Sequence, residues 1–359
     1  MKMKKTVLSQ IVFISLLFAN STFSQIPPGY YDSAKGLIGI PLKQALHNII
    51  DNHTPVTYAD IWTDFQKTDV KPDGKVWDPY SDIPGGTAPY EFTFITNQCG
   101  SYSAESDCYN REHSFPESWF NGSAPMYTDL FHIYPTDGYV NNRRGNDGFG
   151  DVGTATWTSE NGSKLGTCID SGYTGVVFEP VDSFKGDFAR TYFYMAVRYY
   201  TEDSGWTGSD MVAGAEPKPW ALVVLKSWNK LDPVSQKEHA RNDSIYKIQH
   251  NRNPFIDNPQ WVDSVWTDAS GIADAKGGGI SPVIFPNPAT DKVFIKFNQK
   301  LKQKIEIYLY SVDGQMLDEK LYSEYNVPIC LKVAGFSKGV YYIRFVTANF
   351  STVKKLILQ

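Results

Sequence analysis

Between Tyr109 and Asn146 the chain gathers side chains that can move protons, hold a hard cation and grip an anion. The stretch opens Tyr109-Asn110-Arg111-Glu112-His113-Ser114-Phe115-Pro116. About twenty residues on, it reads Asp129-Leu130-Phe131-His132-Ile133-Tyr134-Pro135-Thr136-Asp137-Gly138-Tyr139-Val140-Asn141-Asn142-Arg143-Arg144-Gly145-Asn146. One chemistry that needs such a set is phosphodiester hydrolysis. It requires an activated water, charge stabilisation at the phosphate and help for the leaving oxygen. A neutral histidine with a pKa near ~6.5 can take the water's proton. A divalent cation on a few oxygen ligands can supply the other two needs. Arginine can fork onto phosphate oxygens. His113 is the candidate base, Glu112 and Asn141 are candidate metal ligands, and Arg144 or Arg111 is the candidate clamp.

Residue types alone leave blander readings beside this one. Asn141-Asn142-Arg143-Arg144 also reads as a solvated helix face. His132, between Phe131 and Ile133, reads as a packing or orienting residue, and Asp129 as a partner for a histidine or a turn cap. Neighbours on a strand face opposite ways, so Glu112 and His113 share one site only if the strand ends or twists near Pro116.

Several elements are expected around this stretch. Pro41–Asn52 and Tyr58–Thr68 have apolar residues at helical spacing. Tyr90–Thr96 reads as a strand, and Thr136-Asp137-Gly138 as the entry to a short helix carrying Asn141 and Arg144. Residues 150–175 read as Gly/Ser/Thr-rich loops with a hairpin, and Val176–Glu179 as a strand. Asp187–Tyr200 reads as a densely aromatic helix containing Arg190 and Arg198. Ala221–Asn229 and Pro233–Gln249 complete a helical second half. In the latter, Glu238, Arg241, Asp243 and Lys247 read as a solvated face. Beyond Lys276-Gly277-Gly278-Gly279, a flexible linker, come short alternating strands with a turn at Asp313-Gly314, the pattern of a small β-sandwich.

Lys2, Lys4 and Lys5, a short apolar run from Ile11 to Ala19 and Thr22-Phe23-Ser24 form a cleavable export leader over residues 1–24. Export permits disulfides. Cys99–Cys108 is the first-choice pair, closing a loop just before Arg111, and Cys99–Cys168 is the alternative. No CxxC or HxxxH spacing favours zinc. Residues 25–280 carry 20 Lys+Arg against 33 Asp+Glu, a formal −13, whereas residues 281–359 carry 11 against 6, or +5. The main domain therefore lacks an overall basic footprint, and any nucleic-acid groove on it must be locally basic.

The quoted blocks, continued by Lys185-Gly186-Asp187-Phe188-Ala189-Arg190-Thr191-Tyr192-Phe193-Tyr194-Met195, resemble the bacterial endonuclease I family. This family comprises secreted and periplasmic nucleases with a ββα-metal (His-Me finger) site. The resemblance spans about residues 40–255. It implies His113 as general base and Glu112 and Asn141 as ligands of Mg²⁺, with Ca²⁺ or Mn²⁺ as alternatives. Arg144 and Arg190 fall in matching blocks and are assigned to catalysis. Two departures stand out. Phe131 takes a place where relatives commonly have histidine, and Phe115–Thr128 lacks the arginine with which some relatives clamp phosphate. Phe285-Pro286-Asn287-Pro288, Val312-Asp313-Gly314 and Phe336–Tyr342 resemble the C-terminal sorting domain of type IX secretion. That resemblance implies an export address read by secretion machinery.

The expected protein is α+β: a ββα-metal core within a largely helical domain over 25–270, a linker over 271–280 and a β-sandwich over 281–359. The expected activity is metal-dependent cleavage of DNA and/or RNA with little sequence preference, outside the cell and without stable membrane insertion. Two alternatives are another secreted metal-dependent phosphodiesterase and an inactive surface-binding protein.

Overall fold

A computed structural model describes residues 26–267, 282–297, 304–311, 316–322, 329–346 and 351–359. The leader over 1–24, the linker at Lys276–Gly279 and the Asp313-Gly314 turn lie outside the described residues. The chain divides into two compact units, Met1–Val265 and Trp266–Gln359. Among the described residues no helix is long and apolar enough to cross a membrane.

The first unit mixes helices and short sheets. Helix α1 (Gly39–Ile50) forms where the apolar spacing places it and buries Leu42, Leu46 and Ile50. Helix α2 (Ile61–Thr68) buries Ile61 and Phe65. Strands β1 (Tyr109–His113) and β2 (Ile133–Asp137) pair antiparallel, with Tyr109 opposite Asp137 and His113 opposite Ile133. Helix α3 (Gly138–Arg144) follows β2 directly, giving a strand–strand–helix unit. Strands β3 (Gly148–Phe149), β4 (Val152–Thr158), β5 (Lys164–Cys168) and β6 (Val176–Glu179) form a sheet in the order β3-β6-β5-β4. The hairpin expected within 150–175 is the β4–β5 pair.

Helix α4 (Lys185–Arg198) is the axis of the unit, with every residue buried. A helix buried all round must satisfy its charges internally. Accordingly Lys185 lies on Asp151 and Glu179, Arg190 on Glu238, and Arg198 on Glu202 and His53. The short strands β7 (Val212–Ala213) and β8 (Glu216–Pro217) lead to α5 (Pro219–Leu231), which packs along α4. Helices α6 (Gln236–Gln249), α7 (Pro254–Asp257) and α8 (Trp261–Val265) complete the unit.

Two expectations are corrected. Residues 90–96 form no strand beyond a single bridge between Lys75 and Thr93. Asn97 Oδ1 instead takes the Thr93 amide at 2.8 Å, and Ile95 turns the chain at φ 68°. A side chain thus outcompetes a ladder. On α6, Glu238, Arg241 and Asp243 are buried, leaving only Lys247 of the four exposed. Charge alternation looked like a solvated face because Glu238 and Arg241 have their counter-charges on distant elements, while Asp243 pairs with Arg252 just past the helix. Arg241, for example, meets Asp69 at 2.9 Å.

In the second unit, β9 (Pro282–Phe285), β10 (Lys292–Phe297) and β13 (Ile329–Lys332) form one sheet. Strands β11 (Ile305–Ser311), β12 (Met316–Tyr322), β14 (Gly339–Val346) and β15 (Ser351–Leu358) form the other. Inward residues including Val293, Ile295, Ile307, Ile343 and Leu356 make a shared core, as expected of a small β-sandwich.

Candidate functional site

The entry to α3 is fixed from three sides. Asp137 caps the helix, its Oδ1 accepting the Val140 amide at 2.9 Å and its Oδ2 the Ser106 amide at 2.8 Å. The Asp137 amide donates to Asp78 Oδ2 at 2.8 Å, and the Gly138 amide to the Cys108 carbonyl at 2.9 Å. Cys99 and Cys108 are disulfide-bonded, the first-choice pairing, and Cys168 is a free thiol. Tyr102, inside that disulfide loop, lies against Gly138, where an added Cβ would come within 2.5 Å of its ring. Only glycine lets the ring sit there.

Strand β1 ends at His113, just short of Pro116, the break that the sequence requires if Glu112 and His113 are to serve one site. Glu112 points toward α3. Its Oε1 accepts from the Tyr80 hydroxyl at 3.0 Å and from Arg144 Nη1 at 2.8 Å. Its Oε2 takes neither bond and is not sealed from solvent, so it can accept a further ligand. Burial pushes the Glu112 carboxyl up from its ordinary value, and Arg144 opposes the shift. Asn141 is three residues before Arg144, hence on the same face of α3, and is half-buried. The helix thus brings Asn141 to the side on which Arg144 holds Glu112.

His113, the last residue of β1, packs in a cage of Tyr58, Phe120, Tyr127 and His132. Its Nε2 lies 3.0 Å from the Tyr127 carbonyl. A carbonyl can only accept, so Nε2 carries the proton and Nδ1 is left with its lone pair. Burial, then the neighbouring His132, pull the His113 pKa down to about 3. The imidazole is therefore neutral at ordinary pH, the form a general base needs. His132 is fully buried and its Nε2 donates to the Met126 carbonyl at 2.7 Å, the packing and orienting role expected of it. Asp129 accepts from Tyr194 and Tyr199 hydroxyls, each at 2.8 Å, and from Gln249 Nε2 at 3.0 Å. Although burial acts to raise its carboxyl, His53, His132 and these donors hold it down to about 2.

The arginines require the main correction. Arg144 is fully buried. Besides Glu112 it donates to the carbonyls of His113, Ser114 and Asp147 at 3.2, 2.9 and 3.1 Å. It has no free edge for a phosphate, and its guanidinium holds Glu112 in place. Arg190 is also fully buried, with Nε and Nη2 on Glu238 at 2.6 and 2.9 Å and Nη1 on Asn229 and the Asp232 carbonyl. It ties α4 to α6, with no free edge of its own. Arg111 is on the His113 side of β1, two residues away. Its guanidinium lies 3.5 Å from the Tyr58 ring centroid and 4.4 Å from that of Trp62, and Nη1 donates to the Tyr58 carbonyl at 2.7 Å. Tyr80, Tyr58 and Tyr127 are site residues that sequence reasoning missed. Tyr58 and Tyr80 are far from the central motif in sequence, and Tyr127 lies between its two halves, so no spacing rule marks them.

Among the described residues no group of three or more His, Cys, Asp and Glu could hold a metal. Glu112 and Asn141 nevertheless fit a Mg²⁺-like ion, which binds through one or two protein oxygens and keeps several waters. The open Glu112 Oε2 is the observation that makes the fit. Arg144, already sharing that carboxylate's charge, would weaken the affinity.

Comparison with known proteins assigns both units. Residues 38–260 match the family described as Endonuclease I, and residues 283–359 match the secretion system C-terminal sorting domain. The chain is 36% identical over 265 residues to an extracellular ribonuclease of Bacillus amyloliquefaciens, covering 70% of this chain and 84% of that protein. It is 37% identical over 250 residues to an extracellular ribonuclease of Bacillus subtilis, covering 66% and 78%. An extracellular deoxyribonuclease of Aeromonas hydrophila is 24% identical over 224 residues, covering 60% and 86%. With its α+β first unit and a match over most of that unit, the chain belongs to the Endonuclease I family and is an endonuclease.

Proposed function

We propose that this endonuclease is exported and cleaves RNA and DNA through a ββα-metal centre built on β1, β2 and α3. The observation that carries the reading is the His113 tautomer. The bond from Nε2 to the Tyr127 carbonyl leaves Nδ1 as a neutral acceptor, on a strand whose next residue back offers an open carboxylate oxygen.

In this mechanism Nδ1 of His113 takes a proton from the water that attacks phosphorus. Glu112 and Asn141 would hold Mg²⁺, or Ca²⁺ or Mn²⁺ in its place, whose chemistry there is charge stabilisation at the phosphate and the leaving 3′-oxygen. Arg144 opposes the upward shift that burial imposes on the Glu112 carboxyl and keeps it aimed. Of the two candidate clamps, Arg144 and Arg111, Arg111, stacked on Tyr58 beside His113, is the guanidinium better placed to meet a phosphate oxygen. Contacts of this kind grip backbone, so the cleavage centre itself imposes little sequence preference. The secreted relatives and the C-terminal sorting match support export, with a cleaved leader over residues 1–24 and the second unit serving the secretion machinery.

The test is incubation of the mature chain with supercoiled plasmid and with total RNA in Mg²⁺, Ca²⁺, Mn²⁺ or EDTA, beside His113→Ala. EDTA should abolish cleavage, and the substitution should lower the rate by about 10²–10⁴, the usual contribution of a general base. Cleavage that survives both treatments would place the chemistry elsewhere. Intact nucleic acid alongside hydrolysis of a small chromogenic diester would make the enzyme a different phosphodiesterase.

A further inference from the structure

Arg144 connects the centre to a neighbouring cleft. While Nη1 holds Glu112, Nε donates to the Asp147 carbonyl at 3.1 Å. Asp147 lines a cleft of about 440 Å³ together with Trp119, Tyr173, Ser209, Asp210 and Trp220. Trp119 also leads back to the centre, since its ring packs 5.3 Å from Phe115, two residues past His113. The walls have a definite character. Tyr173 stacks on Trp220 with ring centroids 4.5 Å apart and planes 10° from parallel. Asp210 fastens this pair, taking the Tyr173 hydroxyl on Oδ2 at 3.3 Å and the Trp220 indole N–H on its carbonyl at 2.9 Å. No lysine or arginine lines the cleft, and neither Asp147 nor Asp210 has an ion-pair partner among the described residues.

Such walls repel phosphate and welcome a flat ring that donates hydrogen bonds. We propose that this cleft is a nucleobase subsite of the nuclease, stacking an unpaired base on its aromatic wall and reading it with Asp210 and Asp147. The inference rests on the nuclease reading above and names the substrate feature the centre itself does not grip. The favoured base is guanine. Its Watson–Crick edge presents two adjacent N–H donors, N1–H and N2–H, which match the two oxygens of one carboxylate. Adenine and cytosine offer a single amino group there, and uracil one N–H. A base can enter only if unstacked and unpaired, so the cleft favours single strands over duplex.

The experiment has two arms on the full mature chain. In the first, cleavage positions are mapped in a random-sequence single-stranded RNA pool. Wild-type cuts should be enriched for guanine at one fixed position beside the cut, by roughly tenfold, as stacking plus a carboxylate contact allow. Asp210→Asn, which cannot accept from both donors, should erase the enrichment, and Tyr173→Ala should reduce it. The readout is a ratio within one reaction, so partial loss of folded enzyme does not mimic the result. Cuts spread evenly over the four bases, or an enrichment that survives Asp210→Asn, overturn the proposal. The second arm needs no turnover. Guanosine should quench tryptophan fluorescence of wild type more strongly than adenosine or cytidine, with inorganic phosphate failing to compete. Selective guanosine binding by a chain that cuts nothing would uphold the subsite and sink the nuclease reading. Failure of guanosine to bind, with competition instead by a free guanidinium compound, would assign the cleft to a basic side chain of a partner protein and overturn the proposal.

Discussion

Arg144 illustrates how a residue's role follows from what surrounds it more than from its type. In the sequence it was one of three arginines near a histidine, and a phosphate contact was the natural reading. In the fold its guanidinium meets one carboxylate and three carbonyls, 4.5 Å from the face of Phe149. Its partner Glu112 is 3% exposed, so removing the cation leaves a carboxylate buried without its counter-charge. Breaking a buried pair from one side costs about 3–5 kcal/mol. Arg144→Met should therefore lower the urea midpoint substantially, and adding Glu112→Gln should recover part of the loss. Stability equal to wild type, with only the cleavage rate lost, would return Arg144 to the substrate. The same contrast separates what was readable in the sequence from what was not. Candidate roles could be written for His113, Glu112 and Asn141 because they lie within one motif. Burial of Arg144 and Arg190 could not be read, since their counter-charges and carbonyls come from elements distant in the sequence.

At the scale of elements, β1, β2 and α3 form a support whose stiffness comes partly from a segment outside it. The Cys99–Cys108 loop supplies the Tyr102 ring over Gly138, the Ser106 amide to Asp137 and the Cys108 carbonyl to Gly138. All three contacts fall on the first turn of α3, the helix that carries Asn141. The cysteines are 9 residues apart, and closing a loop of that size is worth about 2–3 kcal/mol in the chain-entropy picture. Replacing both with serine should lower stability by about that amount. It should also weaken divalent-metal dependence, read as a rise in the Mg²⁺ concentration for half-maximal cleavage. A loss of stability with an unchanged Mg²⁺ requirement would separate the loop from the site. The helices were legible because their apolar spacing is local, as in α1 and α4. The absent strand at 90–96 was not, because Asn97 and the φ of Ile95 decide it, and neither shows in an apolar pattern.

On the scale of the whole molecule, charge sets how the enzyme meets a polyanion. Residues 25–280 carry a formal −13 and residues 281–359 +5. Most cations of the first unit are spent on internal pairs, among them Lys185, Arg190, Arg198, Arg241 and Arg252. Arg143 is exposed, its guanidinium 5.3 Å from the Trp157 ring centroid, and Arg111 is partly so. With so few cations free, the strand can displace few counterions on binding. Two or three phosphate contacts to a single strand give log K against log salt a slope of roughly −1.4 to −2.1, at about −0.7 per contact. The His113→Ala chain in EDTA, titrated with a labelled single-stranded oligonucleotide between about 50 and 200 mM salt, measures that slope. The second unit has its own core, so a chain ending at Thr267 can be compared with the full one. Equal slopes would locate the binding in the first unit. A slope several times steeper in the full chain, relaxing on truncation, would mean that the basic second unit holds the substrate, and the enzyme would then bind on one unit what it cuts on the other.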